Sequence, residues 1–533
     1  MKRRALVIIT IFALLGAVQT RSASSADESG EKEPISASTY LGGSGEEGFH
    51  PVTIAVGGDG CVFVAGKTES EDFPTTPGAY DGTFNGEQDI FVSKLDPDLT
   101  TLLASTFIGG SMIEFSCSLA VDDGGDVYIA AVTNSRDFPT TEAAYDVSYG
   151  GGDDFAVLRM DSDLTTLKAS TFLGGRYRET AARRFMVLDG GSVYVTGLTE
   201  SIDFPTTARA YDEAYNGGGD AFVARLDPDL RELLSSTFIG GSANDWAYSL
   251  ALDREGGVYV TGHTDSANFP IVGDAHDGDY NGGTDVFVTR LYDDLSGITA
   301  STFLGGSAFD NTASIAVDEL GRVYVSGHTA SADFPTTLDA YSREYSGGSR
   351  DVFMTVFDAE LSLLASTLLG GGERDIQPCI VLSDDEDVVI SGATASSDFP
   401  ASTGTGYGGS VDYFLSRMDA GLTSLVVSMY IGGSGEERFG DVTPGPGRDE
   451  FYASGSTGSG AFPVTVGAYD ESYNGGDSDV FVMRISLAEG GEIERVEETW
   501  ADGWQGIPGF PMPAILLGLM GVAVLLTLLR SGP

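Results

Sequence analysis

One short phrase recurs seven times along the chain, and its spacing constrains the fold more than any other feature. It reads STYLGG at Ser38, STFIGG at Ser105, STFLGG at Ser170, STFIGG at Ser236, STFLGG at Ser301, STLLGG at Ser366 and SMYIGG at Ser428. The first glycines of the pairs (Gly42, Gly109, Gly174, Gly240, Gly305, Gly370, Gly432) are separated by 67, 65, 66, 65, 65 and 62 residues. A period this constant means that a single supersecondary unit is stacked, so residues 35–487 form one array rather than several unrelated domains.

Residues 248–303 serve as the type repeat. YSLALD, GGVYVTGHT, DVFVTRL and ITASTF each alternate or run apolar and β-branched, so each predicts a strand. First and second strands are joined by a tight Asp and Gly turn (DREGG), third and fourth by turns such as LDPDLT with Pro97 at the corner. Second and third are separated by a long loop carrying Phe-Pro (Phe73, Phe138, Phe204, Phe269, Phe334, Phe399, Phe462) and then a Tyr and Gly-rich segment. No helical periodicity interrupts the array. Four antiparallel strands repeated seven times predict an all-β chain, a seven-bladed β-propeller. The units are too long for the coils of a parallel β-helix. The array opens on a fourth strand, ISASTYLGG, and closes on a third, DVFVMRISL at 479–487. The N-terminal strand should therefore complete the last blade and leave no open edge.

The run STFLGGSAFDNTASIAVDELGRVYVSGHTASADFPTT at 301–337 resembles the SBBP-type β-propeller repeat proteins. That resemblance implies the same propeller and says little about activity.

Both ends carry address-like segments. Residues 1–25 place Lys2, Arg3 and Arg4 before an apolar run and then small residues, the layout of a secretory signal peptide. Residues 488–506 form an acidic linker, and 507–529 are uncharged and long enough to cross a bilayer as a transmembrane helix. A short tail, 530–533, would then lie in the cytoplasm. Pro508, Gly509 and Phe510 ahead of that apolar run resemble archaeal PGF-type sorting signals, although the single Arg530 departs from their basic cluster. The expectation is an exported protein anchored at the cell surface in the cytoplasmic membrane.

Charge narrows the partners. With 79 acidic and 29 basic residues the formal charge is -50, and removing the four positive charges of residues 1–25 takes it to -54. Such a field repels nucleic acid and favours cations or basic partners. Lys occurs only five times, which suits a halophile. Cys61, Cys117 and Cys379 occupy different parts of their repeats and outline neither a disulfide framework nor a metal motif.

In this topology the Gly-Gly loops and the long loops leave one face, which is the expected binding face. On it a carboxylate recurs four residues after each second glycine: Glu47, Glu114, Glu179, Asp245, Asp310, Asp375 and Glu437. These seven are the candidate Ca²⁺ ligands, since Ca²⁺ takes several oxygens. Sevenfold repetition instead favours hydrogen bonding inside each blade, and the same holds for Asp89, Asp154, Asp220, Asp285, Asp351, Asp412 and Asp479, which open the third strands.

Departures from the repeat are the better ligand-binding candidates. Arg176, Arg178, Arg183 and Arg184 crowd into GGRYRETAARRF, where guanidinium forks suit carboxylate, sulfate or phosphate, with neutralisation of neighbouring carboxylates as the simpler role. Trp246 is the only Trp within the array and could stack on a sugar, anchor a protein or pack its blade. No catalytic residues are assigned: there are four His (His50, His263, His276, His328), His263 and His328 share one repeat position, and no hydrolase, zinc or phosphate-loop motif occurs. The sequence thus favours a non-catalytic module binding extracellular protein or glycan, over a carbohydrate-active glycosidase or lyase with paired carboxylates and over a structural envelope component. No cofactor is expected apart from Ca²⁺.

Overall fold

The structure, a computed structural model, describes residues 34–48, 51–181 and 184–488. The proposed leader, the linker, the segment 507–529, the short tail, and His50 and Arg183 lie outside the described residues. Among the described residues no helix is long and apolar enough to cross a membrane.

Seven antiparallel sheets form the array. The fourth blade shows the plan. Its strands Asp245–Leu252, Val258–Thr264, Asp285–Leu291 and Ile298–Leu304 pair in chain order. Asp245 faces Thr264, which faces Asp285, while Leu252 faces Val258 and Leu291 faces Ile298. One end of the blade therefore carries the Gly-Gly and long loops and the other the two tight turns, as the repeat predicts. Closure follows the sequence too: Ile35–Leu41 pairs antiparallel with Asp479–Ser486 and completes the seventh sheet.

Seven apolar clusters hold the ring, and each lies between neighbouring blades. One unites Tyr194 and Val223 of the third blade with Leu250 and Val260 of the fourth; another unites Leu41 and Val480 of the seventh with Val62 and Phe91 of the first. Because both faces of every sheet are covered, strands such as Val62–Thr68 are buried at all seven positions and begin as apolar runs without polar alternation. The Phe of each Phe-Pro joins this packing: Phe73 lies over Phe91 at 4.4 Å and Phe269 over Phe287 at 4.5 Å. Leu99, Leu164, Leu230, Leu295, Leu361 and Leu422 occupy the left-handed region in the third-to-fourth turns, a conformation costly for a branched side chain. Complete burial of each leucyl side chain offsets that strain.

The long loops depart from expectation. They leave the predicted face but do not stand on it; they run back along the outer strand of their own blade. Thr76 N donates to Ser105 O at 3.1 Å and Phe107 N to Asp81 O at 2.9 Å. Five of the loops then reach the turn of the next blade, as where Tyr80 N donates to Leu164 O at 2.9 Å and Tyr469 N to Leu99 O at 2.9 Å. The physical reason is the exposed outer edge, whose unpaired backbone groups would otherwise be left to solvent or to another chain. The inner part of the loop-bearing face is left to the Gly-Gly loops and the ends of the first strands.

Candidate functional site

The seven repeated carboxylates are buried, and each turns into its own blade junction. Glu114 accepts hydrogen bonds from Gly110 N at 3.0 Å and Thr133 Oγ1 at 2.6 Å; Asp245 accepts from Gly241 N at 2.7 Å, from Ser266 Oγ at 3.0 Å and from Thr264 Oγ1. Glu47, Glu179, Asp310, Asp375 and Glu437 each accept in the same manner from the second Gly of their pair. Among the described residues no three Asp, Glu, His or Cys side chains converge as a metal site.

Each of these carboxyls meets the Asp that opens the third strand of the preceding blade. A Cβ on Gly305 would lie 2.9 Å from both Asp285 Oδ1 and Asp310 Oδ2; on Gly42 it would lie 2.6 Å from Asp479 Oδ1 and 2.9 Å from Glu47 Oε2. Glycine is needed there because two carboxyls converge on it. Asp285 Oδ2 accepts from Asn281 N at 2.7 Å, whereas its Oδ1, like that of Asp89, Asp154, Asp220, Asp351 and Asp479, receives no hydrogen bond. Burial, and secondarily the charge of the neighbouring carboxyl, push Asp89, Asp220, Asp285 and Asp479 up to about 7; burial likewise takes Glu179 and Glu437 to about 7. Two carboxyls held this close in a dry junction share a proton rather than both ionise. Such values would suit acid and base chemistry, but the side chains are sealed beneath the Gly-Gly loops, away from any solute.

Of the four arginines proposed in the third blade, the three described, Arg176, Arg178 and Arg184, take different partners. Arg176 is exposed and pairs with Asp203 at 3.2 Å; Arg178 pairs with Asp153 at 3.5 Å. The first strand of this blade is split into Glu179–Thr180 and Met186–Asp189. That break turns Arg184 into the central channel, where its Nε donates to Asp441 Oδ1 at 2.8 Å and its Nη1 to Ile380 O at 3.3 Å. Asp441 also accepts from Ile54 N at 3.3 Å and from Cys379 Sγ at 3.0 Å, so one ion pair ties the third blade to the sixth, seventh and first. The space left beside it is about 10 Å³, on the scale of one water and far too small for an organic ligand. The three cysteines are buried.

Trp246 has richer company. Arg178 lies over its ring at 5.9 Å, and His263, its cross-strand neighbour, lies nearly parallel to it at 15° with centroids 5.9 Å apart. His263 is followed by Phe309 at 6.5 Å, and Phe309 by His328 at 6.2 Å and 23°. Arg350 ends the series, its guanidinium 4.5 Å above Phe309 and its Nη1 donating to His328 Nε2 at 3.0 Å. Burial pulls His263 down to about 4, so that imidazole is neutral near pH 7. The guanidinium hydrogen bond makes His328 Nε2 an acceptor and thereby sets its tautomer. A band of planar rings thus crosses the third to sixth blades on the inner loop-bearing face, with Arg178 at one end and Arg350 beside Arg374 at the other.

Sequence reasoning found Trp246 and Arg178 and read His263 and His328 as scaffold; it missed Phe309, Arg350 and Arg374. The available signal was columnar. Arg350 and Arg374 occupy positions that in other repeats hold Gln88 and Ile113, Gly219 and Asn244, or Val411 and Glu436.

A β-propeller repeat model of the SBBP type matches residues 236–270 and 301–335. No curated protein matches the chain. Among solved structures it is similar to a protein of unknown function from Dyadobacter fermentans (10% identity, 85% of this chain and 98% of that one, TM-score 0.42). It is also similar to a variant of the NanB sialidase of Streptococcus pneumoniae (9%, 86% and 71%, 0.39) and to the Pan2 WD40 domain of Neurospora crassa (11%, 86% and 98%, 0.40). At these identities and scores none of the three bears on function, and propellers serve enzymes and binders alike.

Proposed function

We propose that this propeller is an exported, surface-held binding module that captures extracellular protein or glycan on its inner loop-bearing face and performs no chemistry. The band from Arg178 through Trp246, His263 and Phe309 to Arg350 carries the proposal. It gathers aromatic faces and guanidinium groups, the side chains most enriched in recognition surfaces, where the repeat is broken on consecutive blades. The basic and apolar layout of residues 1–25 and the uncharged run 507–529 support export and anchoring. The buried carboxyl pairs are read as structural because no solute reaches them. Screening the full chain against glycan and extracellular-protein panels, with Trp246→Ala alongside, tests the proposal. Selective binding that drops at least tenfold in the variant is expected; hydrolysis or elimination of a bound glycan, or binding unaffected by Trp246→Ala, would contradict it.

A further inference from the structure

At the mouth of the propeller six of the seven blade junctions are closed by one bridge between the residue ahead of a third strand and the residue ahead of the next first strand. In the third blade that bridge joins Asp153 to Arg178, opposite charges 3.5 Å apart. The corresponding bridge into the sixth blade joins Arg350 to Arg374, two like charges. Like charges set directly opposite are unfavourable, and neither guanidinium has an ion-pair partner among the described residues. Burial first, and then the charge of Arg374, pull Arg350 below its ordinary value. In a chain of net charge -50, with carboxylates available almost everywhere, an uncompensated arginine pair is an anomaly that a bound anion would resolve.

We propose that Arg350 and Arg374 bind the carboxylate or sulfate of an acidic sugar, with neighbouring neutral sugars lying along the Trp246–Phe309 band. This rests on the binding function proposed above and specifies its ligand. Three observations select a sparsely charged glycan. The rest of the band is uncharged, since His263 is neutral and Arg178 is already paired with Asp153, so only one end asks for an anion. A polyanion such as nucleic acid or an acidic peptide would meet the repulsion of the whole acidic surface for the sake of one arginine pair. A peptide could pair only with the inner edges of the first strands, along a channel that the Arg184–Asp441 pair occupies, because the outer edges are covered by the long loops. Flat rings, by contrast, suit the faces of pyranose units.

The test is calorimetric titration of the full chain with three hexamers: one alternating glucuronate with N-acetylglucosamine, the neutral N-acetylglucosamine hexamer, and hexaglutamate. The acidic glycan should bind at least tenfold more tightly than the neutral one, and hexaglutamate more weakly than either. Arg374→Glu gives Arg350 an ion-pair partner, so this variant should melt at or above the wild-type temperature while its preference for the acidic glycan falls to within twofold. Arg374→Gln provides the same readout should the glutamate variant fail to fold. Equal affinity for acidic and neutral glycans, no binding of either, or hexaglutamate binding as tightly as the acidic glycan would each overturn the assignment. Loss of binding in Trp246→Ala together with an unchanged preference in Arg374→Glu would overturn this site while leaving the binding function standing; no effect of either variant would overturn both.

Discussion

The junction at Asp153 and Arg178 and the junction at Arg350 and Arg374 occupy the same place in the repeat and solve it oppositely. The first closes on itself with an ion pair; the second leaves two positive charges together beside an aromatic band. A repeat protein is a set of internal controls, because each blade shows what a position does when it only has to build the ring. What the blades share here is buried: the carboxyl pairs, the Phe-Pro stacks and, in six of the seven, the leucine of the third-to-fourth turn. What single blades add is in part exposed, and Arg350 and Arg374, although Arg350 donates to His328, have no ion-pair partner among the described residues.

If repetition builds and departure binds, disturbing the shared elements must cost stability, and disturbing the departures must cost affinity. The largest effect should come from deleting residues 35–43, which removes the strand that closes the seventh blade. Its loss should lower the melting temperature by about 10 °C or more in scanning calorimetry, because the third strand Asp479–Ser486 loses its partner and becomes an open edge. An unchanged melt would mean that the ring closes otherwise.

Arg184 comes next, and it sharpens the contrast because the sequence places it beside Arg176 and Arg178. Arg184→Ala leaves Asp441 in the channel without its counter-charge and should destabilise by about 2–3 kcal/mol in denaturant unfolding, with glycan affinity unchanged. Arg176→Ala, at an exposed pair, should change stability by less than about 0.5 kcal/mol.

The carboxyl pairs predict the pH response. Folded-state values near 7 at Asp89, Asp154, Asp220, Asp285, Asp351 and Asp479 exceed the ordinary aspartate value of 3.8. The native state therefore binds more protons than the unfolded chain between about pH 4 and pH 7, and stability falls as pH rises through that window. Surface carboxylates held low by backbone donors, such as Asp72, Asp137 and Asp333, act in the opposite sense only in more acidic solution. Melting should thus be higher at pH 5 than at pH 8 at fixed ionic strength, and Asp220→Asn, which mimics the protonated carboxyl, should flatten the difference. A melt that rises from pH 5 to pH 8 would show that the pairs do not hold protons.

A small stability effect bears most directly on the two junctions. Arg350→Asp copies the arrangement of Asp153 and Arg178 into the sixth-blade junction and should change stability by no more than about 1 kcal/mol, the relief of repulsion set against the lost contact with Phe309. Affinity for an acidic glycan should nevertheless fall at least tenfold. Unaltered affinity would make the arginine pair incidental.

Much of this was legible in the sequence. The period fixed the blades, the order of strand types located the closing strand, and the unequal joints told the two faces apart. The course of the long loops was not legible, because the donors that the outer edge satisfies are backbone groups with no signature in residue type. Arg184 misled for a local reason: the break between Thr180 and Met186 turns it into the channel, while its neighbours Arg176 and Arg178 stay on the rim. The band itself assembles Trp246, Phe309 and Arg350 from separate repeats, and only the closure of the ring reveals them as neighbours.

Trp246 offers the most direct measurement. With Trp500→Phe and Trp504→Phe in the full chain it is the sole tryptophan, so its emission reports the centre of the band alone. Titration with a glycan that alternates uronate and neutral sugar should produce a saturable change in that emission, weakened by added salt and abolished by Arg350→Asp together with Arg374→Glu. No change at any ligand concentration, or a change that the arginine substitutions leave intact, would contradict the account.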